Sequence, residues 1–139
     1  MDAETLSPQQ LHAIKGQLEE ELEKLTTSFA QLRHARTKYM ASRTALEDLE
    51  ARDVLVPLTA SVYVPGRLIE PNKVMVEIGT GYFVEKTRDG GKEFCERKMK
   101  MLRENMDKVS NYINQRRKTL DLVVQTLQKK IKEQQAGTN

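Results

Sequence analysis

Few residues in this chain have the types and spacing that reaction chemistry needs. A cysteine becomes a nucleophile when a neighbouring base or cation draws off its proton. No base is evident beside Cys95, the chain's single cysteine. Cys95 falls instead on an apolar helical repeat, where the residue serves as a small hydrophobe. One cysteine also excludes an internal disulfide. His12 and His34 are 22 residues apart, about 33 Å along a helix, so they cannot share a metal ion. Gly79, Gly81, Gly90 and Gly91 are not followed by the Lys-Ser/Thr pair of a phosphate-binding loop. No pair of catalytic groups emerges, so the chain is expected not to be an enzyme and to need no metal or cofactor.

Binding chemistry is better represented. The net charge is only +3, but residues 88–135 hold 13 Lys and Arg against 7 Asp and Glu, whereas residues 7–52 balance at seven of each. A basic helix can meet nucleic acid, a membrane surface or an acidic partner. The cluster Arg97, Lys98, Lys100, Arg103, Arg116, Arg117 and Lys118 lacks the aromatic interleaving of a nucleic-acid module. A solvated helix face accounts for it, and nucleic-acid binding is not expected. The longest uncharged run, Val54 to Gly66, is too short to span a membrane and contains two prolines. The acidic, polar opening MDAETLSPQQ does not suit a secretory signal. A soluble intracellular protein is expected, with room for a nuclear pool.

The elements that must position these residues are mostly helical. Charged residues make up 31% of the chain and aromatics 5%, a balance that favours long exposed helices over a packed globule. Ser7 and Gln10 form a Ser-x-x-Gln capping box around Pro8, a good first helical residue. Leu18, Leu25, Leu32, Tyr39 and Leu46 then recur every seven residues, accompanied by Leu11, Leu22 and Phe29 and, further on, by Arg36, Arg43 and Glu50. That is a heptad seam. A second seam runs through Met99, Met106, Ile113, Leu120 and Leu127, with Cys95, Leu102, Val109, Arg116 and Val123 as its companions. Gly90-Gly91 is poor helical sequence, so regular helix is expected from Lys92, with Gly137 as the stop.

Between the seams the period changes to two. Val54, Val56 and Leu58 alternate, as do Val62 and Val64; Val74, Val76 and Ile78 share one side of a strand, and Tyr82 and Val84 continue after Gly79-Thr80-Gly81. These residues favour strands, and the glycines can supply the positive φ angles of a two-residue turn. Four short strands in two hairpins are expected. The fold class is α+β: a long antiparallel coiled-coil hairpin of two helices with two central β-hairpins. Residues 1–139 form one domain in this scheme, with helices over 7–52 and 88–136 and the hairpins over 53–87. A helix register that sets Leu11 near Ile131 sets Glu50 near Phe94. Isolated hairpins are marginal in water and their edges invite pairing. Several copies can close into a barrel and remove the edges. The hairpins are therefore expected to join an intersubunit β-barrel.

The stretches VLVPLTASVYVPGRL and KVMVEIGTGYFVEKT, set between two long heptad helices, resemble the α class of prefoldin subunits. The resemblance covers nearly the whole chain and is most specific over residues 54–87. It implies a hexameric co-chaperone of two α-class and four β-class subunits, here one other α-class and four β-class partners. The hairpins would assemble into a double β-barrel, with six coiled coils projecting from it. The distal tips would hold unfolded actin- and tubulin-like clients without ATP and pass them to the cytosolic group II chaperonin. Gly90-Gly91 departs from the family pattern, in which good helix formers continue.

On that basis two sets of residues are candidates. Client contact is assigned to Leu6, Leu11, Ile14, Leu18, Val124, Leu127 and Ile131, which a splayed coiled-coil end would expose; a closed seam is the competing structural account. Subunit contact is assigned to Val62, Val64, Val74, Val76, Ile78, Tyr82 and Val84. Lys129, Lys130 and Lys132 near the same end read as solvated side chains, or as a complement to acidic partners. A structural scaffold or tether without client binding is the alternative function.

Overall fold

The computed structural model describes residues 2–138. After one 3-10 turn, Ala3–Thr5, the order is α1 (Pro8–Glu47), β1 (Arg52–Pro57), β2 (Tyr63–Leu68), β3 (Lys73–Gly79), β4 (Tyr82–Thr87) and α2 (Arg88–Gly137). The fold is α+β, two long helices flanking two antiparallel hairpins, β1–β2 and β3–β4. The residues divide into two compact units. One combines residues 2–34 with 103–138, and the other is residues 35–102.

In the first unit, α1 starts as its sequence dictates. The Ser7 amide donates to Gln10 Oε1 at 2.9 Å, and the Gln10 amide donates to Ser7 Oγ at 3.2 Å. This reciprocal pair satisfies two of the amides that a helix start leaves free. Leu11, Leu18, Ile113 and Val123 are buried, each drawn from the heptad positions. Glu21 pairs with Arg116 at 3.1 Å, while Leu11 packs in one cluster with Val123 and Leu127. Positions rising along α1 meet positions falling along α2, so the helices run antiparallel.

In the second unit the same rule holds. Arg43 Nε meets Glu96 at 2.7 Å, Glu47 meets Lys92 at 3.9 Å, and Tyr39 meets Phe94 edge-on with centroids 6.3 Å apart. Cys95 and Leu102 are buried. In both units the register is about one helical turn away from the expected one. The reason lies at the helix ends. α1 stops at Glu47, not at residue 52, and Glu50 is no seam residue. Arg88 Nη1 donates to the Leu49 carbonyl at 3.0 Å, and the chain is extended again by Arg52.

α2 begins at Arg88, four residues before Lys92. Thr87 caps it, its Oγ1 accepting from the Gly90 amide at 3.0 Å. Gly91 suits the tight packing here: a Cβ there would lie 3.1 Å from Val74 Cγ2 and 3.2 Å from Leu46 Cδ1, so both neighbours would have to give way slightly. The glycine lets α2, α1 and β3 approach closely, and that packing outweighs the roughly 1 kcal/mol propensity penalty of glycine. The helix runs through Gly137, one residue beyond the expected 136.

Both hairpins are antiparallel ladders. Val56 lies opposite Val64 in the first, and Val76 opposite Val84 in the second. The second turn needs only one left-handed residue, Gly81 at φ 78°, whose amide donates to Glu77 Oε1 at 3.0 Å. The register shifts between Glu77 and Gly79, leaving Ile78 as the extra residue of a bulge.

Candidate functional site

The candidate residues separate into two surfaces, one in each unit. In the first unit, Leu6, Leu11, Ile14, Leu18 and Leu127 do come together, joined by Ala3, Leu120 and Val123. They do not form an open surface. Leu11 is 0% exposed, the only large side chain among the described residues to be wholly buried. Val124 is half-buried outside this cluster, and Ile131 is 42% exposed. The cluster is closed from above by residues 2–6. Asp2 caps the 3-10 turn, with its carbonyl accepting from the Thr5 amide at 3.1 Å and from Thr5 Oγ1 at 2.8 Å. Lys130 Nζ then donates to the Glu4 carbonyl at 2.7 Å and to the Leu6 carbonyl. The sequence reading left Lys130 solvated or facing acidic partners. Its actual partners are backbone carbonyls more than a hundred residues away in sequence, which no side-chain pattern announces.

In the second unit the situation is reversed. Large apolar side chains stand exposed along both hairpins, among them Leu55 (67%), Tyr82 (74%), Val62, Val64, Ile78 and Val84. Val74 and Val76 differ from the other candidates for subunit contact. They are half-buried against their own helices, next to Gly91. With Tyr39, Leu46, Phe94 and Cys95 they line an open hollow of about 650 Å³. Burial pushes the Cys95 thiol up from its ordinary range, against the opposing pull of Arg43. Sequence reasoning chose one face of each hairpin and passed over Leu55, Tyr63, Met75 and Phe83 on the other; these too are exposed. The signal was available: a strand with one solvated face alternates apolar with polar, whereas Val54-Leu55-Val56 and Tyr82-Phe83-Val84 are apolar on both faces.

Among the described residues, no group of three or more His, Cys, Asp or Glu is placed to hold a metal ion, and no helix is long and apolar enough to cross a membrane. The geometry offers non-directional apolar contact, in one place covered and in the other uncovered.

Comparison with known proteins agrees with this architecture. A family model described as prefoldin subunit matches residues 18–133. The chain belongs to the prefoldin family, whose members are subunits of a co-chaperone. The relatives it matches along most of their length are subunit 5 chains. It is 41% identical over 138 residues to the probable prefoldin subunit 5 of Dictyostelium discoideum, covering 95% of this chain and 86% of that one. Prefoldin subunit 5 of Arabidopsis thaliana is 41% identical over 141 residues, with 99% and 93% covered. That of Homo sapiens is 38% identical over 128 residues, with 89% and 83% covered. Among solved structures, filamentous prefoldin from Methanocaldococcus jannaschii shares the fold at a TM-score of 0.51 and 20% identity, covering 84% of this chain and 93% of that one.

Proposed function

We propose that this chain acts within a six-subunit holdase that captures unfolded polypeptides without ATP and delivers them to the cytosolic group II chaperonin. Its partners are one other α-class and four β-class subunits, its clients are unfolded actin- and tubulin-like chains, and it works in the cytoplasm. The observation that carries this reading is the apolar surface exposed on both faces of both hairpins. Such surface on a free chain marks a protein interface, and hairpins of this length are marginal alone. Other subunits supply the missing strands. Client capture is assigned to the cluster around Leu11 and Leu18, since apolar burial is non-directional and suits clients of many sequences.

The decisive experiment uses the complex purified from its own cells. Added without nucleotide, it should suppress aggregation of denatured actin at near-stoichiometric ratios, and the held actin should pass to group II chaperonin when that is supplied. No suppression would refute the holdase. A second function, a scaffold or tether without clients, is favoured by one fact: Leu11 is 0% exposed. An intact six-subunit complex with no effect on aggregation would select it.

A further inference from the structure

Residues 2–6 lie on the apolar cluster of the first unit much as a bound ligand would. In a 3-10 turn, side chains three apart fall on the same side, and Ala3 and Leu6 both pack against the buried set of Leu11, Leu18 and Val123. Glu4 and Thr5, between them, remain exposed. The segment is gripped through its backbone, with Lys130 donating to the carbonyls of Glu4 and Leu6. A cation on main-chain carbonyls recognises no particular side chain. The strap's own internal bonds amount to a single turn, and one turn is unstable by itself in water. What holds it down is therefore the apolar cluster beneath and Lys130, not its own structure.

We propose that residues 2–6 are an internal stand-in for client. The apolar cluster between the start of α1 and the end of α2, once uncovered, takes unfolded segments that carry two apolar side chains three residues apart and offer free carbonyls to Lys130. Such a segment enters by displacing the strap, so the client site is closed when idle. This inference rests on the holdase function and specifies the site, its ligand pattern and its gate.

The test uses the assembled complex with this chain methyl-labelled at leucine, and reduced, carboxymethylated lactalbumin as a permanently unfolded probe. Probe binding is followed by fluorescence anisotropy and the strap by the Leu6 methyl resonance. On probe addition, Leu6 should move to the position of a solvated leucine while the Leu18 methyl stays in an apolar environment. Removal of residues 2–6, or the milder Leu6→Asp, should tighten probe binding three- to tenfold. Adding Lys130→Met to the strapless chain should then weaken it several-fold. A Leu6 resonance unmoved by bound probe, or looser binding once the strap is removed, would overturn the proposal. If the probe binds neither the intact nor the strapless complex, the holdase function itself fails and this inference with it; unchanged strap behaviour with normal probe binding would sink the strap alone.

Discussion

The two compact units of the molecule treat apolar side chains in opposite ways. In the unit of residues 2–34 and 103–138, the apolar heptad positions at the start of α1 and the end of α2 are sealed: Leu11, Leu18 and Val123 are buried and residues 2–6 cover them. In the unit of residues 35–102, a short buried seam around Cys95 and Leu102 gives way to hairpins with exposed apolar residues on both faces. The first unit satisfies itself by local packing. The second is incomplete as a single chain, because its strands have edges and uncovered faces that water does not favour. Under the proposed function, the second unit is the one that takes a fixed set of partner subunits, and the first is the one that makes adaptable contact with clients.

The largest expected effect breaks the incomplete unit. Val64→Asp combined with Val84→Asp places charges where partner strands should bury them, and an unpaired buried charge costs several kcal/mol. Assembly should weaken on the order of 10³-fold, equivalent to about 4 kcal/mol, and size-exclusion chromatography should show the chain leaving the complex. Both residues are exposed in the free chain, so helix content by circular dichroism should be unchanged.

Next comes the sealed unit. Leu11→Ala removes its only wholly buried large side chain, and substitutions of this kind cost about 2–5 kcal/mol. Chemical unfolding should show that loss, with hydrogen exchange accelerating first near both helix ends of that unit. Subunit composition should stay intact. If Leu11→Ala dissolved the complex instead, the division between the units would be wrong.

Two glycines sharpen the contrast at smaller scale. Gly91→Val forces carbon into space held by Val74 and Leu46, and overpacking of this sort costs about 1–3 kcal/mol. Gly16 has nothing within 4 Å of a would-be Cβ, so Gly16→Ala should stabilise the helix by about 0.5–1 kcal/mol. Thermal melts of the two variants should shift in opposite directions.

The smallest effect is chemical. Because burial raises the Cys95 thiol pKa, less thiolate is present at pH 8 than for a free cysteine, and the thiolate is the reactive form. Alkylation by iodoacetamide at pH 8 should be slower than for an unfolded control and should accelerate as pH rises further. Labelling at the unfolded rate would mean the seam around Cys95 is open.

The sequence spoke most clearly where physics is local and periodic. The Ser7–Gln10 cap, the heptads and the period-two strands all depend on neighbours within one or two turns, and they appear where expected. The misjudged features depend on distant partners. Arg88 reaches the Leu49 carbonyl across 39 residues at the point where α1 has already given way to a connecting loop, so the heptad spacing that pointed to Glu50 ran past the true helix end. Gly91 looks like a helix breaker by propensity, yet it suits the close approach of Val74 and Leu46. Lys130 looks solvated on a helix wheel, yet it pins residues 2–6. Of the candidate site, the apolar members around Leu11 were legible as a group. A closed seam was among the readings the sequence offered, but its covering by residues 2–6 was not, because that segment is a single turn whose only sequence trace is Asp2 ahead of Glu4 and Thr5.

The most direct test of the central claim, that the hairpin unit is completed by other subunits, is the native mass of the tagged chain recovered from its own cells, with its companions identified. A six-subunit particle containing this chain once, with one further α-class chain and four β-class chains, is the predicted result. A monomer, or a homodimer without β-class partners, would contradict it and would mean that the exposed faces around Val64 and Tyr82 are covered in some other way.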